Sequence, residues 1–137
     1  MASVFVVKGK LENPMEWYST SCKCDTNWMF DTQFKAYHLG SVYMKQSGDT
    51  TSFEDLSEQE FFGWETSDWI ALAGYRELIY GSYNEDGSAE FVHIKDGVCL
   101  KDYRMYEFEL DTEEGDTPVF EDWADVCEYI DTCLLSM

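Results

Sequence analysis

After Arg104 the chain contains no lysine and no arginine. The bases that precede that point, Lys8, Lys10, Lys23, Lys35, Lys45, Arg76, Lys95, Lys101 and Arg104, are scattered singly. A groove that follows nucleic-acid phosphates needs clustered cations, so this distribution argues against nucleic-acid binding. It argues equally against attachment to an anionic membrane surface. Proline is scarce, with only Pro14 and Pro118, and neither opens a linker; 137 residues without a linker predict one domain, residues 1–137. No segment approaches the ~20 apolar residues of a spanning helix. The apolar run Val4–Val7 ends at Lys8, Lys10 and Glu12, too early for a secretory signal, so a cytoplasmic location is expected. The five cysteines are odd in number and lack framework spacing, which predicts free thiols rather than disulfides.

What the chain does have is acid and aromatic surface. Aromatic residues make up 17% and apolar residues 45%, enough for a packed core and too much for a disordered acidic tail. Acids outnumber bases 28 to 9, a formal charge of −19. Eleven of those acids follow Met105: Glu107, Glu109, Asp111, Glu113, Glu114, Asp116, Glu121, Asp122, Asp125, Glu128 and Asp131. A second base-free stretch holds Asp49, Glu54, Asp55, Glu58, Glu60, Glu65 and Asp68. Charge this one-sided opposes folding through self-repulsion. A solvated face that keeps the protein soluble is one reading; a surface complementary to a basic partner is the other.

The patterning predicts an α+β domain. Ala2–Lys8 reads as a strand. Residues 15–43 give no clear pattern, although Lys35–Met44 is strand-like. Ser57-Glu58-Gln59-Glu60 matches a capping box and predicts a short helix near residues 53–63. A second short helix is possible within 64–73. A three-stranded antiparallel meander is expected over 75–110, with a turn at Asn84–Gly87 and a hairpin at Asp96-Gly97. Its last strand, Val98–Leu110, slips in alternation near Asp102–Arg104, which suggests a bulge. Asp111–Thr117 reads as an acidic loop. A final helix is expected from about Val119 to Leu134, with Pro118 at its first position and Asp116 or Thr117 as cap. Its apolar stripe is Trp123, Val126, Cys127, Ile130, Cys133 and Leu134. The antiparallel sheet is expected to pack against this helix.

No catalytic or metal motif emerges, and no cofactor is expected. Cys22-Lys23-Cys24 is too tightly spaced for a structural zinc half-site and has no partner pair. Asp111, Glu113, Gly115 and Glu121 imitate a calcium loop with the glycine one place early and Pro118 intruding. His93 could meet Cys99 across the Asp96-Gly97 hairpin, or Glu90 on its own strand, as a small enzyme would require. Trp64, Trp69, Tyr75, Tyr80 and Tyr83 fit core positions better than a ligand-stacking ring, while Trp17 and Trp28 are the better candidates for exposure.

In character this small acidic chain, with its "DG" hairpin, "EEGD" loop and "FEDWADVCEYID" helix, resembles the immunity proteins of bacterial contact-dependent and polymorphic toxin systems. That resemblance implies a non-enzymatic inhibitor whose partner is a basic protein, most simply a toxin nuclease domain occluded by charge. The partner-binding residues expected are Asp111, Glu113, Glu114, Asp116, Glu121, Asp122, Asp125 and Glu128, with Glu54, Asp55 and Glu58 as a second patch. The alternatives are a DNA-mimic inhibitor of a nucleic-acid enzyme, a small enzyme using His93, or an adaptor domain.

Overall fold

The computed structural model describes residues 1–137. Nine strands form one antiparallel sheet: β1 (Ala2–Lys8), β2 (Met29–Asp31), β3 (Ala36–Leu39), β4 (Val42–Ser47), β5 (Thr50–Asp55), β6 (Glu77–Tyr83), β7 (Ala89–Lys95), β8 (Val98–Tyr106) and β9 (Glu109–Glu114). Their spatial order is β2-β3-β4-β5-β1-β6-β7-β8-β9. Helices α1 (Pro14–Cys22) and α2 (Thr66–Ala73) lie between strands in sequence, and α3 (Trp123–Tyr129) continues as a π-helical turn over Ile130–Leu134.

The first strand is central because it is apolar at both parities. Phe5 and Val7 enter a core shared with Tyr18 of α1 and Trp69, Leu72 and Ala73 of α2. Val4 and Val6 enter a second core with Val126, Ile130 and Leu134. Side chains alternate across a strand, so these sets lie on opposite faces of the sheet. The result is three layers: α1 and α2 on one side, the sheet, and α3 on the other. Val126, Ile130 and Leu134 recur at four-residue spacing and are fully buried. Gly81 lets this helix approach, since a Cβ there would stand 2.6 Å from Ile130 Cγ1.

The meander is present as β6–β7–β8, and the Asp96-Gly97 turn has both residues at positive φ, as a tight two-residue hairpin requires. The sheet is larger than the sequence pattern indicates. Lys35–Met44 contributes two strands, β3 and the start of β4, joined at Gly40-Ser41. The expected strand Val98–Leu110 is two strands: Glu107 and Phe108 both adopt left-handed φ and reverse the chain into β9. The predicted acidic loop Asp111–Thr117 is therefore mostly strand. The slip in alternation is real, as a register shift between Arg104 and Met105.

Two predicted helices differ. Residues 53–63 form no helix: Phe53 pairs with Phe5 in the sheet, and a loop follows. The capping-box residues are captured instead by the buried Asp55, whose carboxylate accepts hydrogen bonds from the Ser57, Gln59 and Glu60 amides and from the Ser41 and Ser57 hydroxyls. The short helix of this region is α2, where the Glu65 amide donates to Asp68 Oδ2 at 3.0 Å. The last helix begins at Trp123 rather than Val119. Its cap is Asp122, whose Oδ1 accepts from the Asp125 amide at 3.0 Å, and Asp125 Oδ2 in turn accepts from the Glu121 amide at 2.8 Å. Pro118 follows a cis peptide in the loop ahead of it.

Candidate functional site: an acidic surface around a saturated ion cluster

The β9 acids stand in two rows. Pairing partners across a ladder share a face. Asp102 and Arg104 point toward α2, so their partners Glu114 and Thr112 do too, and Glu109 follows Tyr106. Tyr103 and Met105 belong to the α3-side core, so Glu113 and Leu110 share that side.

The acids of α3 meet Glu113 there. The Tyr103 phenol is pushed above its ordinary pKa, first by burial and then by the negative charges of Glu113, Asp122 and Asp125. These three carboxylates, distant in sequence, all lie within electrostatic reach of the Tyr103 phenol, where Lys101 Nζ stands 3.6 Å from Glu113. Asp131 sits further along, accepting from the Tyr83 hydroxyl at 2.8 and 3.0 Å. Tyr83 is raised to about 12, by burial first and by Asp131 next, with a contribution from Glu58. Glu58 also acts on Glu54, whose carboxyl is raised chiefly by burial. Glu54 pairs with Val4 of the α3-side core, which puts it on the α3 side. Glu121 and Glu128 are exposed, as is Asp116 in the loop. Of the expected partner-binding residues, Glu113, Asp122, Asp125 and Glu54 therefore lie on the α3 side, the last beside Lys45, and Glu58 is in the loop after β5. Asp111 and Glu114 lie on or beside the α2 side. Asp55 does not belong to the surface, being buried and consumed by its loop.

Asp55 has a pH consequence. Burial pushes its pKa up, but the Ser41, Ser57 and Glu60 hydrogen bonds outweigh this and leave it below the ordinary value. A depressed carboxylate contributes stability that is complete above the unfolded pKa of about 3.9 and is lost as pH falls through the folded value. Asp55→Asn is expected to be less stable than the parent at pH 6. The gap should narrow as the pH is lowered through 4 toward 2, as read by urea denaturation at each pH.

The bases are placed where no sequence pattern could show. Lys8, Lys10, Arg76 and Lys95 collect at one end of β1, β6 and β7. Lys8 Nζ lies 3.9 Å from Glu77, Arg76 Nη1 donates to the Lys10 carbonyl, and Lys95 also acts on Glu77. Lys101 and Arg104 are buried, with Lys101 donating to the Gly115 carbonyl at 3.1 Å and lying 3.6 Å from Glu113. Four bases thus gather at one end and two are inside, while the exposed Lys45, across from Ser52, stands on the α3 side beside Glu54; the base-free acid lies around β9 and α3.

Beneath the α2 side lies a buried ion cluster. Glu90 accepts four hydrogen bonds: at Oε1 from Tyr80 (2.7 Å) and the Gly63 amide (3.0 Å), and at Oε2 from Tyr106 (2.5 Å) and Arg104 Nη1 (3.0 Å). Arg104 donates onward to Asp102 at 2.7 Å and to the Trp64 carbonyl at 2.8 Å. Asp102 also accepts from Thr66. Burial pulls the guanidinium pKa down, but the bonds and charges of Asp102 and Glu90 reverse this and raise it. Tyr106 is pushed up to about 12, by burial and then by Glu90, and remains a donor. A carboxylate takes about four such bonds, so Glu90 has no free lone pair with which to act as a base. The cluster is a strut that ties the 61–66 loop to β7 and β8.

The pairings a small enzyme would need do not form. His93 Nε2 lies 2.7 Å from Glu77, on the α3 side. Cys99 and Glu90 are on the opposite face. The aromatic ring is not formed either: Trp69 and Tyr80 are fully buried and stacked at 4.2 Å, while Tyr75 is exposed. Trp17 and Trp28, the better candidates for exposure, are half-buried against the first core, with Trp28 Nε1 donating to Ser19.

Comparison with family models, with characterised proteins and with solved structures finds no match to this chain.

Proposed function

We propose that this chain is an acidic inhibitor of the immunity-protein kind, which binds a basic protein, most simply a toxin nuclease domain, and occludes its groove by charge. The observation that carries this reading is the concentration of acid around β9 and α3. Acids from β9 and α3, in a stretch without a base, share one side of the sheet, while four of the nine bases sit together at one end. A merely solubilising surface has no need of such a concentration. Complementary potential of this extent raises association rates and makes them salt-sensitive.

The test must spare acids that hold the fold. Asp122 and Asp125 cap α3, and Asp131 holds Tyr83. Asp116, Glu121 and Glu128 are exposed, and their side chains accept no hydrogen bond within the chain. The Asp116→Lys, Glu121→Lys, Glu128→Lys chain is expected to stay folded. It should bind at least about a hundredfold more weakly to the basic domain that the parent retains at low salt, with loss of inhibition of that domain's nuclease activity. Unchanged affinity in the folded variant would rule out the α3 side as the binding surface.

A further inference from the structure

β9 ends the sheet. Its inner edge pairs with β8, and no backbone or side-chain hydrogen bond within the chain reaches its outer edge. Six residues in extended form make a ledge about 20 Å long with unpaired amides and carbonyls. The opposite edge, β2, has only three residues. Exposed edges of this length are templates for another strand, and proteins block them with charge, bulges or cover.

The charge on β9 selects what can add there. Four of its six residues, Glu109, Asp111, Glu113 and Glu114, are acidic and none is basic. A second copy of β9 would bring acids against acids, which opposes pairing. A strand bearing Lys or Arg meets the reverse situation. The α2 side of the ledge carries Glu109 and Glu114, and beside it opens a cleft of 420 Å³ lined by Glu65, Thr66, Asp102, Arg104 and Asp111 among others. Within that cleft Arg104 is offset by Glu90 and Asp102, so Glu65 and Asp111 leave it net acidic. A long cationic side chain from an added strand would reach it. On the α3 side the ledge presents the exposed Leu110.

We infer that β9 receives a basic, extended segment of the partner as a tenth strand. Backbone pairing would supply affinity, and alternate Lys or Arg residues facing the α2 side would supply specificity. This deepens the inhibitor reading and rests on it, since it names where and in what conformation the basic partner docks.

Two peptides of equal charge and about eight residues, the length that spans β9, separate pairing from plain attraction. One alternates Lys with Val; the other has the same sequence with every backbone amide N-methylated, which removes the ladder donors on both of its edges. With the whole chain at physiological salt, the Lys–Val peptide is expected to bind about tenfold or more tightly than its N-methylated counterpart. It should also slow hydrogen exchange at the outward amides of Glu109–Glu114. Glu109→Lys with Glu114→Lys should abolish that difference. Equal binding of the two peptides with unchanged exchange in β9 would overturn edge pairing while leaving the acidic-surface reading intact. Absence of binding by either peptide at low salt would overturn both.

Discussion

Glu90→Ala is expected to lower the unfolding free energy by about 3–5 kcal/mol, the range for breaking a buried ion pair from one side. The effect is large because the carboxylate is shared. Its loss leaves the Arg104 guanidinium with a single anionic neighbour, Asp102, and leaves the Tyr80 hydroxyl, the Tyr106 hydroxyl and the Gly63 amide without acceptors. The Tyr80 hydroxyl is fully buried, so orphaning it adds a desolvation penalty of about 1–3 kcal/mol before relaxation. Glu90→Gln should fall between the two chains, because the amide oxygen keeps some of these bonds. Urea denaturation provides the check: a lower midpoint with an unchanged slope means a less stable chain with the same native surface. A midpoint equal to the parent's would mean that the cluster is not the strut described.

Phe5→Ala is expected to cost about 3–5 kcal/mol, as for a large aromatic removed from a core. Phe5 is fully buried at the centre of the sheet, and its ring lies within 6.5 Å of five others: Trp17, Tyr18, Phe53, Phe61 and Trp69. Those rings come from α1, α2, β5 and the 61–66 loop, so no single element can move in to fill the space. Val6→Ala, one residue on and on the other face, removes far less volume and should cost markedly less. Thermal unfolding of the two variants measures the difference. Comparable losses would contradict the hub role assigned to Phe5.

The features legible in the sequence are those with local causes. β1 shows as an apolar run, the Asp96-Gly97 turn by its residue types, and the α3 stripe by its spacing, which begins at Trp123 as the helix does; Pro118 and its neighbouring caps point four residues too early. The turn into β9 was not legible, because Glu107 and Phe108 hold left-handed φ without glycine or asparagine to announce it. The Ser57–Glu60 capping pattern misled for a tertiary reason. Asp55 gathers the same amides into a loop that a helix start would have satisfied, and Phe53 is needed in the sheet. The acidity of residues 105–137 was plain from composition. The common side reached by Glu113, Asp122 and Asp125, and the gathering of Lys8, Lys10, Arg76 and Lys95, depend on strand order that no spacing encodes. In the sequence Glu90 stands as a candidate partner of His93 and Asp102–Arg104 as a slip in alternation, and only the pairing of β7 with β8 brings the three together.

The two cores flanking the sheet also divide the tryptophans unequally. Trp17, Trp28, Trp64 and Trp69 belong to the layer with α1 and α2, while Trp123 alone stands with α3, its indole donating to the Ser88 carbonyl at 3.0 Å. Intrinsic emission from this chain is therefore dominated by one layer. Detachment of α3, the event that would disperse the acidic side, changes the surroundings of one indole in five. A chain keeping only Trp123, with the other four indoles replaced by phenylalanine, would turn that silent layer into its own optical reporter.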